Sequence, residues 1–144
     1  MVVVQQKPLR RFLCYYIVMD REILKLDAVF SIYVRASRAD FQGFVNCYTC
    51  PARYHWKAMQ CGHFRKRADF ATRFHEDNCR PQCPNCNETL GGNLEVFEEE
   101  LRDEIGDERV DILIELSKNY AGNDTEYYVD KLAYYRGKNK ELGV

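Results

Sequence analysis

CYTCPARYHWKAMQCGHFRKRADFATRFHEDNCRPQCPNCNETLGGN, residues 47–93, decides the fold. Its two ends carry Cys47-x2-Cys50 and Cys83-x2-Cys86, and between them lie all three histidines of the chain, Asn78 and a run of arginines and lysines. A two-residue spacer lets both sulfurs of a turn point at one centre, so four cysteines in two such pairs suit one tetrahedral zinc ion. The insert between Cys50 and Cys83 is 32 residues, longer than the usual ribbon spacing of about 15–20. A functional element is therefore expected inside it.

The rest of the composition sets bounds. A chain of 144 residues is one ordinary domain, long enough to bury its own core. The net charge is −1, but seven basic and four acidic side chains fall in residues 1–43, the same numbers in 44–92, and seven and 14 in 93–144. A basic body with an acidic C-terminal part would orient the protein on phosphates, although acidic helix faces are more often simply solvated. Seven cysteines cannot all pair internally, and four in metal spacing fit a reducing cytosol. Cys14, Cys61 and Cys79 are expected as small buried apolar residues; a second metal at Cys61 and Cys79 is disfavoured because neither has a partner at pair spacing.

Inside the insert, Gly62-His63-Phe64 is followed by basic Arg65-Lys66-Arg67, then Asn78, and finally Asn87 directly after the last cysteine. This order resembles the HNH, or ββα-metal, nucleases. Further matches are residues 25–35, the Cys47 pair, Ala71-Thr72-Arg73-Phe74, Gln82-Cys83-x2-Cys86-Asn87, Gly92-Asn93 and Gly106-Asp107-Glu108-Arg109-Val110. Together they resemble the NinG (Rap) recombination proteins of lambdoid phages over roughly residues 25–116. The resemblance implies an α+β fold with a zinc-stabilised ββα-metal core flanked by N- and C-terminal helices. It also implies a phage or prophage endonuclease, acting in the host cytoplasm on branched recombination intermediates. DNA is the expected partner; a homodimer would suit symmetric junctions, and a recombinase partner is an open expectation.

The resemblance and the chemistry assign roles together. His63 is the general base, since an imidazole with an ordinary pKa near 6.5 accepts a proton at physiological pH. The alternatives for a lone histidine are a structural residue or a zinc ligand, but four cysteines already fill the zinc. The resemblance implies Asn87 as the ligand for a catalytic Mg²⁺ or Mn²⁺, where the residue by itself reads as a helix-surface or capping amide, and it implies that Asn78 fixes the hairpin loop that carries the base. Gly62 departs from the pattern, because many HNH nucleases carry a second ligand just before the base. Arg65, Arg67 and Arg73 are candidates to clamp the phosphate, since guanidinium donates in bidentate fashion. His75 is a reserve base, with exposure beside Glu76 and Asp77 the plainer reading. A zinc-stabilised DNA-binding or protein-interaction module without chemistry would explain the cysteines and the basic loop equally well, but not His63 and Asn87 at their HNH positions.

The remaining elements follow from periodicity. Residues 1–20 are set apart as an arm of unknown role, with 2–6 and 12–18 expected as strands or packed arm; eight apolar residues from Phe12 are too few to span a bilayer. A helix is predicted over 21–43, with Leu26, Val29, Tyr33 and Ala36 on a stripe that Ile23, Phe30 and Val34 widen, against either the zinc body or a dimer surface. The core runs over 44–92: a strand at 44–47, the first hairpin strand at 58–64, a loop at 65–77, and a helix from Cys83 to about Leu90 with Pro84 in its first turn. Three more helices fill 93–140, stopped by Gly106 and capped at Asp107 and Asp124, with Tyr127, Tyr128, Tyr134 and Tyr135 on the last and a frayed tail from Gly137.

Overall fold

The computed structural model describes residues 9–119 and 124–144. Helix α1 spans Leu9–Ala36. No glycine or proline interrupts residues 9–42, so a helix once nucleated propagates at one hydrogen bond per residue. Residues 12–18 are therefore helical, correcting the strand expected there; residues 2–6 lie outside the described residues. After Ala36 the chain turns on Asp40, whose carboxylate accepts from the backbone N–H groups of Gln42 and Phe44 (both 2.9 Å). Gly43 follows at φ +85, where the His55 ring leaves no room for a Cβ.

Two antiparallel hairpins follow. Strand β1, Phe44–Asn46, pairs with β2, Arg53–His55, in the register Val45 opposite Tyr54. Strand β3, Gln60–His63, pairs with β4, Cys79–Gln82, with His63 opposite Cys79 and Gly62 opposite Arg80. Of the strand expected at 58–64, residues 60–63 are extended and Ala58 lies in the single turn Trp56–Ala58; the loop expected at 65–77 joins the two strands, ending in a turn at Glu76–Asn78. A five-residue helical turn, Asn85–Thr89, comes next. It is wide, closing with Leu90 N to Asn85 O at 2.9 Å, the i to i+5 pattern of a π-turn. Pro84 opens it in helical geometry (φ −54, ψ −36).

Helices α2, Leu94–Ile105, and α3, Asp107–Lys118, are separated by Gly106 at φ +86. Asp107 is thus the first helical residue rather than a cap. Helix α4, Thr125–Glu141, is capped as expected by Asp124, whose carboxylate accepts from Tyr127 N (3.0 Å). It carries through Gly137, correcting the frayed tail: a glycine in mid-helix costs about 1 kcal/mol, and Asn139, 7% exposed, donates to Val29 O at 3.0 Å to anchor the end.

Three apolar clusters hold these pieces. Ile23, Leu26, Phe30 and Val34 of α1, spaced three and four apart, pack against Tyr128, Leu132 and Tyr135 of α4 and against Phe74 and Cys79. The broad stripe of α1 is thus covered within the chain, by α4 and the β3–β4 hairpin rather than by the cysteine body alone. Val45, Cys47, Met59, Cys83 and Cys86 form the second cluster, and Phe64 with Phe97, Leu101, Val110 and Leu113 the third. Tyr128 and Tyr135 are core residues, so neither serves as a stacking platform for bases.

One charged network joins the layers. Arg80, 2% exposed, donates from Nε to Glu104 of α2 (3.0 Å). Glu104 also accepts from Tyr48 (2.6 Å) and Arg38 (2.8 Å). Burial opposes its ionisation, but these donors outweigh burial and bring its carboxyl down to about 2. Glu104→Ala leaves Arg80 with carbonyl partners but no counter-charge, an expected loss of about 2 kcal/mol in urea unfolding at neutral pH. The Glu104 contribution is fully present above its ordinary value of 4.5 and is lost as pH falls towards 2. The wild-type to mutant gap should therefore close over that window.

Candidate functional site

The four cysteines Cys47, Cys50, Cys83 and Cys86 converge, each offering a sulfur within 4.8 Å of the others. Cys47 and Cys50 come from the turn between β1 and β2, and Cys83 and Cys86 from the end of β4 and the helical turn. The Cys50 and Cys83 sulfurs are 3.7 Å apart. A tetrahedron with Zn–S bonds of about 2.3 Å has edges of roughly 3.8 Å, so the spacing fits zinc. Backbone N–H groups point at the sulfurs, Cys83 N to Cys47 Sγ at 3.2 Å and Cys86 N to Cys83 Sγ at 3.5 Å. Burial resists ionisation of Cys47, but N–H groups of Cys83 and Thr49 and neighbouring side chains bring its thiol down to about 7. Burial, with its thiol neighbours, pushes Cys50 up to about 12. A divalent cation would supply the charge that allows all four to ionise.

The β3–β4 hairpin gathers a second set of ligand atoms. A ring nitrogen of His63 and the sulfurs of Cys61 and Cys79 all lie within 4.8 Å of one another. Cys61 and His63 alternate along β3 and so share a face, and Cys79 sits directly across from His63. Cys79 is buried in the first apolar cluster and Cys61 packs against it, as expected of them, and the strand register adds His63 to the pair. The alternation in Cys61-Gly62-His63 is legible in the sequence; Cys79 needed the strand register.

His63 is held by Nε2, which lies 3.1 Å from the carbonyl oxygen of Arg73. A carbonyl only accepts, so the ring proton is on Nε2 and Nδ1 keeps a lone pair. Burial lowers the pKa of His63, opposed by the carbonyls of Arg73 and Cys61, so the ring is neutral at physiological pH.

His63 opens on a cleft of about 900 Å³ between α1, β3 and the helical turn, lined also by Asp27, Arg35, Cys61, Arg67 and Asn87. The Asn87 amide donates to Gln60 Oε1 (2.7 Å), which leaves its carbonyl oxygen for another partner. Glu88, a carboxylate on the same wall, is bound by Gln60 and went unnoticed in the sequence, although it directly follows Asn87. These oxygen donors suit a hard cation such as Mg²⁺. Gly62 has no side chain for a reason visible here: a Cβ would lie 2.1 Å from Oε1 of Gln82. A side chain at position 62 would therefore have to displace Gln82.

Asn78 is fully buried and clasps the loop, accepting from Arg65 N (2.7 Å) and donating to Arg65 O and Thr72 O (both 3.1 Å). Of the three arginines, Arg73 is a correction. Its guanidinium takes Asp27 of α1 in a two-point pair and is 12% exposed, so it positions rather than clamps phosphate. Arg67 shares Asp27 (2.6 Å) but is 58% exposed, and Arg65 donates to Ser117 (2.9 Å). His75 accepts from Asp77 N at 3.2 Å, capping a single turn at Glu76–Asn78, so it is half-buried and structural.

Stripping metal with a strong chelator should collapse the second apolar cluster, because Cys47, Cys83 and Cys86 are themselves its core. The expected result is loss of cooperative thermal unfolding, restored by zinc. Circular dichroism with and without chelator checks it, and an unchanged melting curve would remove zinc from the fold.

No described helix is long and apolar enough to cross a membrane. Comparisons with curated proteins and with solved structures give no match. A family model described as the bacteriophage lambda NinG protein does match, over residues 21–143. With the match reaching from the middle of α1 to the end of α4, the chain belongs to the NinG family.

Proposed function

We propose that the chain is a metal-dependent DNA endonuclease of the HNH type, acting on branched recombination intermediates of phage DNA. The observation that carries this reading is the placement of His63 at the end of β3, tautomer fixed, on the same cleft as Asn87 from the helical turn. A hairpin followed by a helical turn, each supplying one functional residue to a shared cleft, is the arrangement the HNH resemblance implies.

Phosphodiester hydrolysis needs a base for water, charge against the phosphate oxygens, and a group to hold the substrate. His63 Nδ1 accepts the proton of the attacking water while Nε2–H stays on Arg73 O, so the ring does not swing away as it charges. Arg73 in turn is held by Asp27, which ties the base to α1. The amide oxygen of Asn87, with Glu88 beside it, would hold Mg²⁺ or Mn²⁺, a cation that supplies positive charge against the phosphate when bound. Arg67, the exposed arginine at the cleft, can leave Asp27 for a phosphate oxygen at small cost, because Asp27 keeps Arg73.

Cleavage of a labelled four-way junction and a matched linear duplex with Mg²⁺ tests the reading. His63→Ala should cut at least about a hundredfold more slowly, the usual worth of a general base, with its four-cysteine zinc retained. Full activity in that variant would overturn the assignment, and equal rates on both substrates would remove selectivity for branches. Binding without any nicking would favour a zinc-stabilised DNA-binding module instead.

The pH dependence has a defined sign. Protonated His63 cannot accept a proton, and burial disfavours that form. The cleavage rate should therefore rise with pH and reach half its plateau below 6.5, the ordinary histidine value. A midpoint above 6.5 in a rate profile at fixed Mg²⁺ would contradict His63 as the base in this environment.

A further inference from the structure

We infer that Cys61, His63 and Cys79 form a second zinc site, separate from the four-cysteine cluster, and that zinc bound there silences cleavage by occupying the base.

Hairpin geometry is the first support. Cys61 and His63 stand on one face of β3 and Cys79 opposite His63 on β4, so three donors on a paired backbone meet without any loop having to fold around them. Their donor atoms already lie within 4.8 Å of one another. Bonds of about 2.3 Å to sulfur and 2.0 Å to nitrogen need ligand separations of roughly 3.4–3.8 Å, a closure that small side-chain rotations supply.

The donor set is the second support. Two thiolates and an imidazole select a borderline-soft ion such as Zn²⁺ over Mg²⁺, and three protein ligands with an open fourth position are a familiar zinc arrangement. Cys61 and His63 line the cleft, so the fourth position can take water. The ligands share no residue with the Cys47, Cys50, Cys83 and Cys86 set. One carbonyl, Arg73 O, holds two of the three ligands in place, lying 3.1 Å from His63 Nε2 and 3.7 Å from Cys79 Sγ.

The functional consequence rests on the nuclease reading above. One imidazole lone pair either binds a metal or takes a proton from water. Zinc on His63 therefore removes the base while leaving Asn87 and Glu88 untouched.

The test is metal stoichiometry on reduced full-length protein, by native mass spectrometry after equilibration with excess zinc. Wild type should hold two zinc ions per chain and the Cys61→Ser/Cys79→Ser variant one. Cobalt substitution gives an independent reading: a second equivalent in wild type should add thiolate-to-cobalt absorption that Cys61→Ala alone diminishes, which covers the case of a double variant that fails to fold. In Mg²⁺-supported cleavage, added zinc should slow the wild type by roughly a hundredfold or more, the scale of losing general base catalysis. The same zinc should change the rate of a folded Cys61→Ala variant far less. One zinc per wild-type chain at saturation, or equal zinc inhibition with and without Cys61, would overturn the proposal. Two zinc ions and no cleavage under any condition would uphold the site and overturn the nuclease reading on which the silencing depends.

Discussion

Everything near the cleft depends on the register of β3 against β4. Side chains alternate between faces, so a slip of one residue would turn Cys61 and His63 away from α1 and bring Gly62 into their place. Three contacts lock the register. Asn78 clasps the loop end through Arg65 and Thr72, Gln82 reaches Thr49 Oγ1 and Gly92 O (both 2.8 Å) from the far end, and Gly62 accepts the Gln82 side chain where any Cβ would collide with it.

The register also sorts the electrostatics. Arg80 points away from His63 into the Glu104, Tyr48 and carbonyl network, where its charge is neutralised. On the other face, Asp27 gathers Arg73 and Arg67, and its carboxyl sits below the usual range because those hydrogen bonds outweigh burial. Two arginines on one carboxylate leave a surplus of positive charge at the cleft mouth. A phosphate arriving as the proposed function requires would meet that local field, even though the whole chain carries a charge of −1.

What could be foreseen from the sequence was whatever local spacing encodes. The Cys-x2-Cys pairs and the Asp124 cap act within a turn or two and appear as expected; of the three-and-four repeat on α2, Phe97 and Leu101 are buried while Leu94 stays exposed. Asn78 was placed as loop support and makes those hydrogen bonds. What escaped was set by partners far along the chain. Arg73 looks like a phosphate ligand until Asp27, 46 residues earlier, claims it. Cys79 is the buried apolar residue expected, but only strand pairing puts it across from His63. Gly137 looks like the start of a fraying tail until Asn139 finds Val29 across the helix pair. In each case tertiary contact overrode a sound local preference.

The wide turn Asn85–Thr89 explains how the cysteine cluster and the His63 cleft fit in so short a chain. Successive residues of a helix point about 100° apart. Cys86, 1% exposed, can thus face its three fellow sulfurs while Asn87, its neighbour, faces Gln60 and the cleft. One peptide bond joins the two sites. Any loosening of Cys86 must move Asn87 with it, since the turn is held by few hydrogen bonds, Asn87 N to Cys83 O (3.0 Å) and Leu90 N to Asn85 O among them. His63 is anchored differently, through Arg73 and Asp27 to α1. The two sides of the cleft therefore answer to separate supports: the four-cysteine cluster sets the position of Asn87, and packing against α1 sets the position of His63.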